Sequence, residues 1–326
     1  VRAMVSSQDF ETTGEQVQTK GTVDNHNRLS EGPSPIIRPT DLIDLISDVD
    51  VVIFDCRFDL ADPAAGESAF HNSRIPGAYY AHLDQDLSGP IGDGTAGRHP
   101  LPDPLLFAAF LESCGVNDDT FVIAYDSSGG AFASRLWWLI RWLGHDAVSV
   151  LDGGWPAWIK AGGLVDSSEL STPQAPQHYK SEALESTSST GLTIQVHNDW
   201  LISADQLSNS SYRLIDSRIA SRYLGLEEPI DPVAGHIPGA INRSWKENLD
   251  TQGHFLPSSD LNTRFKPVEG KQDVFYCGSG VTACHNILAS VAAGNEMPLL
   301  YAPSWSGWIS DPNRPFETDT SENPGS

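Results

Sequence analysis

The chain has 326 residues, with 20 basic and 43 acidic side chains and a formal net charge of −23. A balance this acidic excludes binding to nucleic-acid backbones and to anionic membrane surfaces, because both need clustered Lys and Arg. A hydrophobic content of 39% excludes general disorder, and the length fits two domains of roughly 100–200 residues.

Residues 1–35 are polar and lack apolar periodicity, which predicts a disordered leader. They also lack the basic-then-apolar pattern of a secretory signal. The first buried strand is VVIFD at 51–55, followed by IPGA at 75–78. Pro104 after Asp103 opens a helix that ends near Gly115. A second strand, FVIAY, runs into Asp126, and residues 133–143 form a helix stopped by Gly144. The aromatics of that helix, in RLWWLIRWLG, recur at helical spacing and read as core. LDGGW follows at 151–155, and residues 166–190 have the composition of a linker.

Beyond the linker the order recurs. YRLID stands at 212–216, IPGA at 237–240, DVFYC at 273–277 and LYAPSW at 300–305. A helix through TACHNILASVAAG follows Cys277 and ends near Gly294. From Phe316 the composition predicts a frayed tail, 316–326. The two IPGA blocks are offset by 162 residues, Asp126 and Cys277 by 151, and Trp155 and Trp305 by 150. Collinear matches with one gap indicate duplication of a domain of about 130 residues. The predicted units are 36–165 and 191–315, each an α/β domain with a parallel sheet flanked by helices.

No apolar run approaches the roughly 20 residues of a membrane span, and the default location is cytoplasmic. The four cysteines, Cys56, Cys114, Cys277 and Cys284, form no CxxC pair, so neither a disulfide framework nor a zinc site is predicted. Cys56, Cys114 and Cys284 read as buried core thiols.

Cys277 differs. It follows a strand and precedes Gly278, Ser279, Gly280, Val281 and Thr282, which lead into a helix. Such a loop puts the sulfur at the C-terminal edge of a parallel sheet, where α/β proteins place their sites. Its backbone N–H groups and the helix N-terminus favour an anion, here the thiolate. The first copy has Asp126 at the equivalent point. A thiolate so placed can attack the outer sulfur of a donor and pass it on, with Ser279 and Thr282 in hydrogen-bonding range of the product.

CGSGVTA at 277–283, the paired IPGA blocks, DSR at 216–218 and the tandem layout resemble the two-domain rhodanese family, over about residues 36–315. The loop is most similar to the 3-mercaptopyruvate sulfurtransferase branch. Thiosulfate-specific members tend to carry basic residues where this chain has Gly278 and Ser279. The resemblance implies an inactive first domain, a catalytic second domain, a Cys277 persulfide, no metal and no cofactor. It implies a small anionic sulfur donor and a thiol or cyanide acceptor, thioredoxin and glutathione among the candidates. Thiosulfate:cyanide transfer is the alternative activity.

Arginines are the expected handles for the donor. The resemblance assigns substrate binding to Arg222. Arg218 is either a second handle or the partner of Asp216. Mercaptopyruvate enzymes have a further arginine in an EPR stretch, which here reads Glu228-Pro229-Ile230. Some place a relay histidine before the first IPGA. Here that residue is Arg74, with His71 three positions earlier, so no Ser-His-Asp relay is predicted from this block. Arg74 is instead expected to line the cleft between domains. His236, its counterpart, reads as structural. Trp305 and Trp308 either wall the pocket or pack beneath the loop. A Cys-dependent phosphatase would need Arg six residues after the cysteine, where Ala283 stands. A non-catalytic sulfur carrier is the remaining alternative.

Overall fold

The fold was obtained as a computed structural model, which describes residues 33–46, 50–169 and 191–318. Most of the expected leader, linker and tail therefore lies outside the described residues. The first half runs β1 (Ile36–Ile37), α1 (Pro39–Leu45), β2 (Val51–Asp55), α2 (Ala64–Asn72), β3 (Tyr79–Tyr80) and α3 (Pro104–Ser113). It continues through β4 (Phe121–Tyr125), α4 (Ala133–Trp142), β5 (Val148–Leu151) and α5 (Gly154–Lys160). The second half runs β6 (Tyr212–Asp216), α6 (Ala220–Tyr223), β7 (Ile241–Asn242) and α7 (Ser258–Arg264). It closes with β8 (Gln272–Tyr276), α8 (Thr282–Ala292), β9 (Leu299–Leu300) and α9 (Ser304–Trp308).

Both sheets are parallel and share one topology. The first is ordered β3-β2-β4-β5-β1 and the second β7-β6-β8-β9. A parallel bridge from Leu201 to Leu300 takes the place that β1 holds in the first sheet. Central β4 is buried along its whole length, as a continuous apolar run between helical layers requires. The helix from Pro104 starts where expected because Asp103 accepts from the Leu105 and Leu106 N–H groups.

The duplication extends to a buried polar knot. Arg57 donates to Asp55 and to the Ser73 carbonyl, and its guanidinium stacks 4.8 Å from Trp155. Arg218 donates to Asp216 and to the Gly235 carbonyl and stacks 4.8 Å from Trp305. The hydroxyls of Tyr125 and Tyr276 accept from the Ile75 and Ile237 N–H groups. A device present in both copies serves the fold, so Arg218 is the structural partner of Asp216.

Arg74 is corrected by the structure. It lies in an antiparallel bridge with Asp166, and its guanidinium donates to Asp166 at 2.7 Å and to the Ser168 carbonyl at 3.0 Å. That pairing buries it on the flank of its own domain, away from the cleft. His236 is structural as expected, stacked on Tyr223 and bonded to the Tyr223 carbonyl. It also bridges Glu317, so the chain is still paired one residue past Phe316.

The helices that follow the two loops, α4 and α8, pack on each other within one hydrophobic cluster containing Trp137, Trp138, Leu139, Ile287 and Leu288. This shared core fixes the two sheets relative to one another. The first loop shows what the architecture does with an anion. The Asp126 carboxylate accepts from the N–H groups of Ser128, Gly130, Phe132 and Ala133 at 2.7–2.9 Å. Asp126 is fully buried. Replacing Asp126 by Ala leaves these donors unpaired and lowers the free energy of unfolding by about 2–4 kcal/mol in urea denaturation, while Asp126→Asn loses less.

Candidate active site

Cys277 follows the last residue of β8, next to the cleft between the domains. Its sulfur accepts from the Gly280 N–H at 3.2 Å. Gly280 has φ +81°, and a Cβ there would lie 2.5 Å from the Ala302 carbonyl oxygen, so only glycine closes the loop this tightly. The start of α9 braces it from behind. The Trp305 and Ser306 N–H groups donate to the Cys277 and Gly278 carbonyls, and the Cys277 N–H donates to the Ser304 hydroxyl. Ser304 has φ 56°, a left-handed conformation that its counterpart Gly154 shares at +55°. The strain of a non-glycine residue here is offset by a hydroxyl that takes the Cys277 N–H.

Ser279 is hydrogen-bonded to a histidine from a part of the first domain that the sequence did not single out. The Ser279 hydroxyl lies 2.6 Å from His99 Nδ1, and His99 Nε2 lies 3.1 Å from Asp84 Oδ1. The block before the first IPGA supplies no histidine to this chain, as Arg74 implies, and the histidine comes from elsewhere. The histidine comes from the loop before α3, 180 residues from its serine. Burial pulls the His99 imidazole below its ordinary value, against the opposing pull of Asp84. The hydrogen bond from His99 holds the Asp84 carboxyl below the usual range. Both directions describe one state: neutral His99, with Nε2–H donating to ionised Asp84 and Nδ1 accepting from Ser279.

One cavity of about 560 Å³ joins these groups. Cys277, Gly278, Ser279, Val281 and Thr282 line it from the second domain, together with Arg218, Arg222, Trp245 and Lys246. Arg98, His99, Ala131 and Phe132 line it from the first. Arg222, the expected donor handle, lines the same cavity as Cys277. Its Nε and Nη2 donate to Glu228, and Nη2 also donates to Asp231. Trp305 and Trp308 pack beneath the loop and donate to the Val233 and Pro315 carbonyls.

The other cysteines are free and buried. Burial pushes the Cys114 and Cys284 thiols up to about 12 and raises Cys56 as well, so all three are inert near neutrality.

The family model for the rhodanese-like domain matches twice, over residues 38–161 and 200–311. A Pseudomonas aeruginosa protein named "Probable 3-mercaptopyruvate sulfurtransferase" is 44% identical over 84% of this chain and 94% of its own length. Rat 3-mercaptopyruvate sulfurtransferase is 33% identical, over 76% of this chain and 81% of its own. Thiosulfate sulfurtransferase of Cricetulus griseus is 32% identical, over 74% and 78%. Among solved structures, 3-mercaptopyruvate sulfurtransferase from Leishmania major superposes with a TM-score of 0.69 at 28% identity, covering 83% of this chain and 73% of its own. SseA from Escherichia coli does so at 0.66 and 25%, covering 83% and 99%. The chain belongs to the rhodanese family and is a tandem, two-domain sulfurtransferase.

Proposed function

We propose that the protein moves the sulfur of 3-mercaptopyruvate to a thiol or cyanide acceptor through a persulfide on Cys277. The observation that carries this reading is one cavity lined by the Cys277 loop, by Ser279 and His99, with Asp84 behind His99, and by Arg222. Loop positions 278 and 279 hold Gly and Ser, which leaves room for a donor larger than thiosulfate.

In the resting state His99 is neutral and can take a proton through Ser279 from the Cys277 thiol. The thiolate attacks the donor sulfur, forming an S–S bond as the carbon–sulfur bond breaks. The electron pair of that bond stays on carbon as the enolate of pyruvate. The imidazolium returns its proton through Ser279 to that carbon, giving pyruvate and Cys277–S–SH. In the second half-reaction the acceptor takes the outer sulfur, Cys277 leaves as thiolate, and the proton released from the outer sulfur restores the Cys277 thiol. Cyanide departs as thiocyanate and a thiol as its persulfide. Glutathione and thioredoxin supply thiols of the right class. Four free cysteines suit a reducing compartment such as the cytoplasm.

Steady-state kcat/KM with both donors tests the assignment. Mercaptopyruvate is expected to exceed thiosulfate by about tenfold or more, a difference of roughly 1.4 kcal/mol in transition-state binding. Cys277→Ser is expected to abolish both activities. Preference for thiosulfate would overturn the donor, and activity without Cys277 would overturn the persulfide.

The pH profile tests the relay. Burial lowers the His99 pKa, so the neutral form needed at rest persists below the ordinary histidine value of about 6.5. The acid limb of kcat/KM should therefore fall below that pH. Asp84→Asn is expected to lower kcat about 10- to 100-fold by releasing the imidazole.

A further inference from the structure

The second arginine that the Glu228-Pro229-Ile230 stretch lacks has a replacement from the other domain. We propose that Arg98 is a specificity-determining residue for the donor, forming with Arg222 a clamp across the domain boundary that holds the donor's carboxylate. This rests on the mercaptopyruvate reading above.

The geometry is specific. A Cβ built on Gly278 would meet Arg98 Nη2 at 3.1 Å and Arg222 Nη1 at 3.4 Å. Two guanidinium nitrogens from different domains thus converge on one point beside Cys277. Neither nitrogen has a hydrogen-bond partner among the described residues. Other donors of the two guanidinium groups hold the clamp in place. Asp231 takes Arg98 Nη1 on one carboxylate oxygen and Arg222 Nη2 on the other, while Glu228 takes Arg222 Nε and Nη2. Asp231 anchors both guanidinium groups and Glu228 that of Arg222, which leaves Arg98 Nη2 and Arg222 Nη1 available beside Gly278. Such a pair suits a planar carboxylate, to which each arginine offers a charge-assisted hydrogen bond.

The backbone of Arg98 is fixed as well. Its N–H donates to the Ser306 hydroxyl of α9 at 3.1 Å. A Cβ on the preceding Gly97 would lie 2.5 Å from the Pro303 carbonyl oxygen, so the loop sits flush against the second domain. His99 is the next residue, and one loop delivers both the relay base and the clamp. The same arrangement explains Gly278: a side chain there would occupy the point on which the anion is held.

The test compares mercaptopyruvate with mercaptoacetone, which keeps the ketone and thiol but lacks the carboxylate. Arg98→Ala is expected to raise KM for mercaptopyruvate about ten- to a hundredfold, the equivalent of one hydrogen bond to a charged group, with little change in kcat. The loss with mercaptoacetone should be at least about tenfold smaller, because no carboxylate contact is removed. Arg98→Lys should recover part of the loss. Gly278→Ala, at a position whose backbone accepts a side chain, should raise the same KM. Equal losses with both donors, or none, would overturn the clamp. Calorimetric binding of pyruvate to full-length protein separates this from the donor assignment. Weaker pyruvate binding by Arg98→Ala supports the clamp even if mercaptopyruvate is not turned over. Unchanged pyruvate binding overturns the clamp even if it is.

Discussion

A single buried guanidinium joins the two halves of the site. Arg135, in the first turn of α4, is fully buried and has no carboxylate partner among the described residues. It donates instead to the carbonyls of Leu87, His99 and Pro100 in the first domain and of Gly280 in the second. Burying a cation costs several kcal/mol, and hydrogen bonds to four carbonyls compensate it only while the segments that carry them, at Leu87, His99–Pro100 and Gly280, stay in place. The His99 loop and the Cys277 loop are therefore held to a common point. The 2.6 Å contact between Ser279 and His99 follows from that constraint. The packing of α4 on α8 supplies the rigid backing.

The two copies make the same kind of loop and fill it differently. In the first, the buried Asp126 carboxylate takes four N–H groups and closes the loop upon itself. In the second, a sulfur takes the Gly280 N–H and faces a cavity. One fold thus offers an anion site that is internal in one domain and open to a substrate in the other. The global charge of −23 repels anionic donors at long range, and capture depends on the loop amides and on arginines whose carboxylate partners lie behind them.

Much of this is legible in the sequence because it is local. Strand, Gly-containing loop and helix are contiguous around Cys277, and the collinear repeat exposes the shared topology. Arg218 could have been settled the same way. Its counterpart is Arg57, in a copy without the cysteine, and a residue common to both copies belongs to the architecture. The sequence singled out Arg74 and passed over Arg98, since what separates them is tertiary. Arg74 is consumed by Asp166, 92 residues away, whereas Arg98 is carried across the domain boundary by a loop with no periodicity to read. His99 was missed for the same reason.

In the proposed mechanism the domains act as one catalytic unit, with the nucleophile's serine on one and its base on the other. A double-mutant cycle on kcat/KM with Ser279→Ala, His99→Gln and both together measures this directly. Strong non-additivity is expected, the double variant being little worse than either single, with a coupling of about 1–3 kcal/mol. Additive losses would show that the two residues act independently and would contradict a shared site.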